Sequence, residues 1–300
     1  MRRATPVDAM LLGTVLLWAL NTTVSKYLLT HGWEPLSYGV IRYFIAIGLF
    51  VAFTWWRERS FRIAPADLPL VALAAATIFV NQVTFVYSVD FTTASTVALM
   101  FATTPVFAGL ISVALGLERL GRRFWLAALV TFAGVALIAA GNAEGLSTDF
   151  KGVLLGLAAA VTWAVYSIAV GPLMRRYSPF RISSVVLVLG WLPLAAVGSP
   201  QVSSQGFSFG ALVWIGFAYA VVGPLFLTNI LWFTAIDRVG VARATLFSNL
   251  QPFFAVVFAI LLLSERLTRL EVAGGVLILA GILLERLRVP VSRAPVHPVE

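Results

Sequence analysis

The chain has 300 residues, of which 60% are hydrophobic and 11% are charged, and its formal net charge is +8. A soluble domain contains about a quarter charged residues, so this composition excludes a soluble protein and predicts that lipid surrounds most of the chain. The absence of cysteine excludes disulfides and cysteine–zinc sites. The two histidines, His31 and His297, lie outside the apolar runs, and we expect no metal and no other cofactor.

Ten apolar runs follow one another with short connections, and each is close to the length that crosses a bilayer as a helix. The runs cover roughly 7–29, 36–56, 68–88, 93–116, 122–140, 152–172, 181–198, 211–233, 241–263 and 270–287. We therefore predict an all-α integral membrane protein with ten transmembrane helices. Arg2 and Arg3 precede the first run, as they would in a secretory signal. That run is too long for a signal core and lacks a small-residue cleavage site, so we expect it in the mature protein.

The positive charges lie mainly in alternate connections. Arginines cluster near the N-terminus and at 57–62, 119–123 and 175–181, whereas the opposite side has only Lys151, Arg266 and Arg269. Because Lys and Arg are enriched in cytoplasmic connections, both termini are predicted to be cytoplasmic. The positive net charge then reflects membrane topology, and we expect no nucleic-acid partner.

An internal duplication runs through the chain, because the segment 90–120 recurs as 237–267 without an insertion or deletion. The matching positions include Pro105 with Pro252, Glu118 with Glu265, and Gly134 with Gly281. We assign residues 1–145 to a first five-helix repeat and residues 146–288 to a second. The proline-rich residues 289–300 are expected to form a disordered cytoplasmic tail.

The odd number of helices in each repeat reverses the second repeat relative to the membrane. Inverted-topology repeats are typical of secondary transporters, whose substrate site lies near mid-membrane between the two halves. The duplication therefore predicts a transporter rather than a receptor or a membrane enzyme, and the spans contain no nucleophile or metal constellation for catalysis.

Polar residues recur on one face of the first and sixth spans at helical spacing. The first span has Trp18, Asn21 and Thr22, and the sixth has Trp163, Tyr166 and Ser167. Such a face must meet protein or water, because an unpaired polar group in hydrocarbon is costly. These residues could form hydrogen bonds between helices. We favour the interpretation that they form the wall of a substrate cavity.

Further polar residues lie in four other spans. They are Asn81 and Gln82 in the third, Asn229 and Trp232 in the eighth, and Asn249 and Gln251 in the ninth. We include these residues in the predicted substrate site. Pro105 and Pro252 interrupt the fourth and ninth spans, where a missing backbone donor kinks a helix. We expect the two prolines to act as hinges or to shape the cavity rather than to contact substrate.

Lys26 and Arg42 are charged residues that lie inside apolar runs rather than in the basic clusters at the run ends. Lys26 is near the end of its span, where its ammonium can reach the interface by snorkelling. Arg42 lies deeper, and its guanidinium could bind a substrate carboxylate. Pairing with Glu34 or with a lipid headgroup is the alternative.

The acidic residues fall in connections or at the ends of spans. Many proton-coupled carriers have a carboxylate deep in the membrane, and none is visible in this sequence. We therefore predict facilitated transport without coupling to an ion gradient.

The two repeats share the pattern P-x-F-A, then L-x-x-E-R-L, then glycine, at 105–108, 115–120 and 134 and again at 252–255, 262–267 and 281. Together with ten spans in two inverted halves, this pattern resembles the drug/metabolite transporter superfamily, in its EamA-type ten-helix branch. Within that branch the chain is most similar to bacterial exporters of aromatic and other amino acids. The resemblance implies a multi-pass protein of the bacterial inner membrane with a central cavity and cytoplasmic termini.

The expected cavity has a composition compatible with an amino acid. Trp18, Trp163, Tyr166 and Trp232 could pack a large apolar side chain, while amides and hydroxyls could bind the amino and carboxylate groups. We expect a monomer, not an enzyme, that exports aromatic and other neutral amino acids by alternating access. The alternatives are an exporter of another small metabolite or drug, and a non-transport membrane protein such as a lipid scramblase.

Overall fold

The computed structural model describes residues 6–116, 120–141, 148–239, 247 and 250–286. Every regular element in these ranges is helical. The helices are α1 (Pro6–Thr30), α2 (Pro35–Glu58), α3 (Leu68–Phe91), α4 (Ala94–Phe101), α5 (Thr104–Ala114), α6 (Arg122–Gly141), α7 (Thr148–Leu173), α8 (Pro179–Ser204), α9 (Ala211–Val221), α10 (Thr228–Val239), α11 (Gln251–Leu263) and α12 (Arg269–Arg286). A 3-10 turn, Pro65–Asp67, precedes α3, and a π-helical segment, Val222–Leu227, joins α9 to α10.

Eight segments of the described chain are long and apolar enough to cross a membrane. They are Pro6–Thr30, Pro35–Glu58, Pro65–Phe91, Ala94–Ala114, Arg122–Ala140, Phe150–Leu173, Pro179–Ser204 and Ala211–Trp232. The helix α11 is apolar but has only 13 residues, and residues 241–246 and 248–249 of the predicted ninth span lie outside the described residues. The helix α12 has charged residues at both ends and is not among the eight. A multi-span helical protein is thus confirmed, and the count of ten stays a prediction.

Two of the predicted spans are interrupted rather than continuous. The fourth breaks at Ala102–Thr103. Pro105 lies in the first turn of α5, where amide hydrogens have no acceptor within the helix, so the hydrogen that proline lacks is not needed. The Thr103 hydroxyl donates to the Met100 carbonyl at 2.6 Å, so the break has its own hydrogen bond. Pro252 occupies the same place in the first turn of α11. The eighth span is interrupted by the π-helical segment, which contains Pro224.

The main helix contacts join the first half of the sequence to the second. The helix α3 packs along α7, α2 along α8, and α6 along α12, while α1 contacts α9, α10 and α11. Small residues allow the closest approach. A Cβ built on Gly134 of α6 would lie 2.5 Å from the Gly274 carbonyl oxygen of α12, and a Cβ on Gly274 would lie 2.5 Å from the Gly134 oxygen. Glycine is therefore required at this crossing.

One end of the bundle, which we call the Trp33 end, holds residues 31–34, 92–93, 205–210 and 264–268. The Trp33 ring stacks on Phe217 with 4.6 Å between centroids, and on Phe209 with 5.1 Å. The Gln205 side chain accepts the Glu34 amide hydrogen, at 2.9 Å between the two atoms, and so joins α8 to the turn between α1 and α2.

A second pair of contacts at the Trp33 end ties helices together by their termini. The Glu265 carboxylate accepts from the Ala94 amide at 2.7 Å and from the Ser95 amide at 3.1 Å, and so caps the first turn of α4. Its repeat counterpart Glu118 lies outside the described residues. The Lys26 ammonium, predicted to snorkel, instead donates to the Val89 carbonyl oxygen near the end of α3 at 2.9 Å.

The opposite end, the Glu58 end, holds residues 59–67 and 174–178 and is joined by ion pairs. Arg181 binds Glu58 with 2.7 Å between Nη2 and Oε2, and Arg176 binds Asp67 with 2.8 Å between Nη1 and Oδ1. Near the start of α2, the Trp191 indole of α8 donates to the Val40 carbonyl at 3.0 Å. The helices α2 and α8 are thus held together along their length.

Candidate functional site

A buried cation lies in the interior of the bundle. Arg42 is only 3% exposed, about seven residues and so about 10 Å from the start of α2. Its Nε donates to the Ala220 carbonyl at 3.0 Å, and its Nη2 donates to the Asn21 side-chain oxygen at 2.9 Å. Its guanidinium lies over the Tyr38 ring, 5.4 Å from the centroid. These partners are all neutral.

The alternative partner proposed for Arg42 is engaged elsewhere, since the Glu34 carboxylate accepts from the Ser204 hydroxyl at 3.0 Å. The remaining guanidinium nitrogen, Nη1, has no acceptor in the part of the chain that the structure describes, and it is not among the polar atoms sealed from solvent. In the described part of the chain, one edge of the guanidinium is therefore not held by a protein acceptor.

Trp18 of α1 lies next to Trp232 of α10, and their ring centroids are 5.2 Å apart. The Trp18 indole donates to the Pro224 carbonyl in the π-helical segment at 3.2 Å. One turn away, the Tyr219 hydroxyl donates to the Leu17 carbonyl at 2.6 Å. Two of the predicted aromatic site residues thus lie together where the backbone of the second half is irregular.

Trp163 of α7 is 38% exposed, although it shares a helix face with residues that are sealed by neighbouring helices. Ala159 and Ala160, three and four positions earlier, are fully buried on that face. The lipid side of α7 is marked by Leu154, which is 51% exposed and, at about 100° per residue, about half a turn from Trp163. Trp163 is therefore exposed on the side of α7 opposite Leu154.

The neighbours of Trp163 on α7 differ in their surroundings. Tyr166 lies 5.2 Å from Trp163 between ring centroids and packs in the same apolar cluster as Tyr43 of α2. Ser167 is exposed, and its hydroxyl donates to the Trp163 carbonyl at 2.7 Å within the helix. Tyr166 therefore joins α7 to the helix that carries Arg42, while Ser167 makes no contact with another helix through its hydroxyl.

Asn81 and Gln82 of α3 are buried and form a continuous hydrogen-bonded group with α7. The Asn81 amide donates to the Ala159 carbonyl at 2.7 Å and to the Thr162 hydroxyl at 3.3 Å, and the Gln82 amide donates to the Asn81 oxygen at 3.0 Å. Gln82 and Tyr43 line the same narrow gap. This group connects two helices, as expected for interhelical hydrogen bonding, and borders the α2 face near Arg42.

In the described part of the chain, the remaining predicted site residues share no side-chain hydrogen bond with those described above. The Thr22 hydroxyl donates to the Ala19 carbonyl at 3.1 Å, and the Asn229 amide donates to the Leu225 carbonyl at 2.5 Å, each within its own helical segment. Gln251 is partly buried in the first turn of α11. Asn249 lies outside the described residues.

A cavity of about 220 Å³ opens at the Glu58 end between α2, α8 and α10. Its lining includes Phe53, Arg57, Phe180, Ile230 and Thr234. No predicted site residue lines it, although Asn229 precedes Ile230 in the chain. In the described residues no group of three His, Cys, Asp or Glu side chains lies close enough to hold a metal ion.

Three hydroxyl residues of the interior are not part of the predicted site. The Ser25 hydroxyl and the Tyr38 hydroxyl are 2.8 Å apart, and Tyr38 supports Arg42. Tyr38 precedes Arg42 by four residues on α2, a spacing that places both on one face and could have identified it. Tyr219 gives no such signal, because its neighbour α1 is distant in sequence.

Comparison with known proteins identifies the class to which this bundle belongs. The model of the EamA-like transporter family matches residues 5–140 and again residues 150–286. The chain therefore belongs to the EamA-like transporter family, within the drug/metabolite transporter superfamily. It is a multi-pass membrane transporter.

Relatives of similar length are named as transporters. An "Uncharacterized transporter" of Archaeoglobus fulgidus is 26% identical over 273 residues, 90% of this chain and 94% of the relative. A "Probable terminal-alkyne amino-acid exporter" of Streptantibioticus cattleyicolor is 29% identical over 225 residues, 73% of each protein. A "Probable amino-acid metabolite efflux pump" of Salmonella typhimurium is 26% identical over 283 residues, 89% of this chain and 90% of the relative.

A solved crystal structure shares the fold. It is 18% identical in sequence and superposes with a TM-score of 0.63 over 94% of this chain and 97% of that chain.

Proposed function

We propose that this transporter exports amino acids, aromatic and other neutral ones, from the cytoplasm through a central cavity by alternating access. The observation that supports this most directly is the pair of aromatic contacts, Trp18 with Trp232 and Trp163 with Tyr166, each with 5.2 Å between ring centroids. Two such pairs can enclose an apolar side chain from both halves of the chain. The relatives named for amino-acid export agree with this substrate class.

The transport site in this proposal combines those aromatic residues with the buried polar ones. Its members are Trp18, Asn21, Thr22, Arg42, Asn81, Gln82, Trp163, Tyr166, Ser167, Asn229, Trp232, Asn249 and Gln251. Pro105 and Pro252 begin helices next to it and act as hinges in this proposal. Amides and hydroxyls bind the polar end of the substrate, and the aromatic rings bind its side chain.

The proposal includes ten transmembrane helices in two inverted repeats, residues 1–145 and 146–288, with both termini cytoplasmic. Two family matches of similar length support the duplication. The helix contacts also support it. A two-fold relation between the repeats exchanges α3 with α9–α10 and α7 with α1, so the contact of α3 with α7 should have a counterpart between α9–α10 and α1. Both contacts occur. The surrounding membrane is proposed to be the bacterial inner membrane, with the protein acting as a monomer.

Transport is proposed to be uncoupled from ion gradients. The described acids lie near helix ends, where Glu58, Asp67 and Glu265 are bound to arginines or to backbone amides. The groups around Arg42 are neutral amides, hydroxyls and carbonyls, which offer no site for a transported proton. The substrate gradient then sets the direction of net flux.

Uptake of labelled phenylalanine into liposomes that contain the purified protein, with no ion gradient, tests this proposal. We expect saturable uptake that Trp163→Ala weakens about tenfold, because the exposed ring of Trp163 supplies stacking and apolar contact. Trp125→Ala is the matched control, since Trp125 is exposed on α6, away from the site, and this variant should transport normally. Absence of uptake of phenylalanine, and likewise of threonine and methionine, would assign the substrate to another class of metabolite.

A further inference from the structure

Arg42 is a buried charge that the described protein leaves without a counter-charge. Its bonding partners are a carbonyl, an amide oxygen and an aromatic ring. A guanidinium in the low-dielectric interior of a membrane is costly when no carboxylate neutralises it, so such residues usually pair or bind ligands. The described part of the chain places no carboxylate within ion-pair distance of Arg42.

The free edge of this guanidinium is shaped for one kind of ligand. Nε and one hydrogen of Nη2 are used by Ala220 and Asn21. The second hydrogen of Nη2 and one hydrogen of Nη1 lie parallel at the end of the planar group, and this pair of donors matches the two oxygens of a carboxylate. The hydrogen bonds to Ala220 and Asn21, with Tyr38 beneath the guanidinium, hold this edge in place before a ligand arrives.

Among the described residues, the same surroundings provide no carboxylate that could pair with an ammonium. The acids of the sequence fall in connections or near helix ends, and a second cation close to Arg42 would be repelled. Lys26, which also lies inside an apolar run, is positive as well. The polar end of the site therefore distinguishes its ligands by the negative charge.

We propose that Arg42 makes a carboxylate the obligatory group of the substrate, while the α-ammonium group is not recognised. This inference rests on the proposed transport function and narrows its substrate class. The substrates are carboxylates with an apolar or aromatic side chain, so that amino acids are joined by analogues in which the amino group is acylated, replaced by a keto oxygen, or absent.

Three compounds with the same ring separate the two polar groups: phenylalanine, 3-phenylpropionate, which lacks the amine, and phenethylamine, which lacks the carboxylate. The readout is thermal stabilisation of the purified protein in detergent, together with competition against labelled phenylalanine in liposomes buffered on both sides. We expect 3-phenylpropionate to bind at least as tightly as phenylalanine and phenethylamine to bind about tenfold more weakly or worse. Equal binding of the amine would overturn the proposal.

Two variants test whether Arg42 is the responsible group. Arg42→Gln removes the charge, and we expect it to abolish the preference for the acid over the amine. Asn21→Asp keeps Arg42 and places a carboxylate where the 2.9 Å bond to Nη2 now lies, so this variant should fold normally and bind carboxylates about tenfold more weakly. Ser203→Asp is the control, because it adds an acid at an exposed position near the Trp33 end and should bind normally.

The outcomes separate this inference from the proposed function. Binding of 3-phenylpropionate that depends on Arg42, without transport of phenylalanine, would support the carboxylate site and contradict amino-acid export. Transport of phenylalanine with normal carboxylate binding by a stable Asn21→Asp protein would retain the transport function and overturn the role of Arg42.

Discussion

Single polar side chains hold distant backbone segments of this bundle together, and Gln205 shows how. Its oxygen accepts the Glu34 amide hydrogen at 2.9 Å, and its nitrogen donates to the Gly32 carbonyl at 3.0 Å and to the Gly206 carbonyl at 2.7 Å. Gln205 is buried, so these backbone groups depend on the side chain rather than on water. A glutamine can do this because its amide both donates and accepts.

Gln205→Ala is expected to lower the free energy of unfolding by about 1–3 kcal/mol, because it leaves buried backbone groups without partners. The midpoint of thermal unfolding in detergent measures the effect. Ser203→Ala is the matched control: the Ser203 hydroxyl is exposed and bonds within its own helix to the Ser199 carbonyl, so its midpoint should stay close to that of the wild type. A Gln205→Ala midpoint equal to that of the control would show that the contact is dispensable.

The sequence predicts which residues of the interior are polar but not what they bind. The spacing of Trp18, Asn21 and Thr22 places them close together on one face of α1, yet Asn21 binds Arg42 of another helix while the Thr22 hydroxyl bonds to its own helix. A helical hydroxyl can bond to the carbonyl three or four residues earlier, as Thr22 does, and the Asn229 amide does the same with Leu225, so residue type alone does not give the partner. Only the tertiary structure, which brings the Arg42 side chain to Asn21, decides between these outcomes.

At the scale of helices, hydrophobic length predicts the spans and local backbone geometry modifies them. The predicted fourth run, 93–116, is a single apolar stretch, but it divides near Pro105 because proline cannot donate to the preceding turn. The π-helical segment at 222–227 was not predicted. Gly223 and Pro224 are its signal in the sequence, and they are common enough in membrane helices to leave that signal ambiguous.

The crossing of α6 and α12 gives a prediction at this scale. Gly134→Ala and Gly274→Ala each place a methyl group 2.5 Å from a backbone oxygen of the other helix, so the helices must separate. We expect each change to destabilise the protein by about 1–3 kcal/mol, the usual effect of overpacking. Thermal unfolding in detergent is the measurement.

Gly48→Ala is the control for the crossing, because a Cβ on Gly48 of α2 would meet no atom within 4 Å. Alanine favours a helix over glycine by about 0.5–1 kcal/mol, so this variant should be as stable as the wild type or slightly more stable. Destabilisation by Gly48→Ala as large as that by Gly134→Ala would indicate a general effect of removing glycine rather than a clash at the crossing.

The whole molecule has two different ends. The Trp33 end is joined by stacked aromatic rings and glutamine amides, and the Glu58 end by ion pairs amid arginines such as Arg57, Arg59 and Arg62. Arginine enrichment marks the cytoplasmic side. Composition therefore suffices to predict the membrane class and an orientation, whereas the pairing of helices from opposite halves requires the tertiary structure.

Single cysteines test the orientation, and the chain has no native cysteine to interfere. Ser208→Cys, exposed at the Trp33 end, should react fully with a membrane-impermeant maleimide added to intact cells. Ala66→Cys, exposed at the Glu58 end, should react only after the membrane is permeabilised. Labelling in the reverse order would place the termini outside the cell.

The glycine crossing also has a consequence for how the chain is made. The helix α6 packs mainly on α12 and makes few contacts with its neighbours in sequence, yet Gly274 leaves the ribosome about 140 residues after Gly134. At roughly 5–20 residues per second, α6 spends on the order of 10 s in the membrane before its partner exists. A chain that stops before α12 therefore leaves the Gly134 face of α6 without the helix that it packs on.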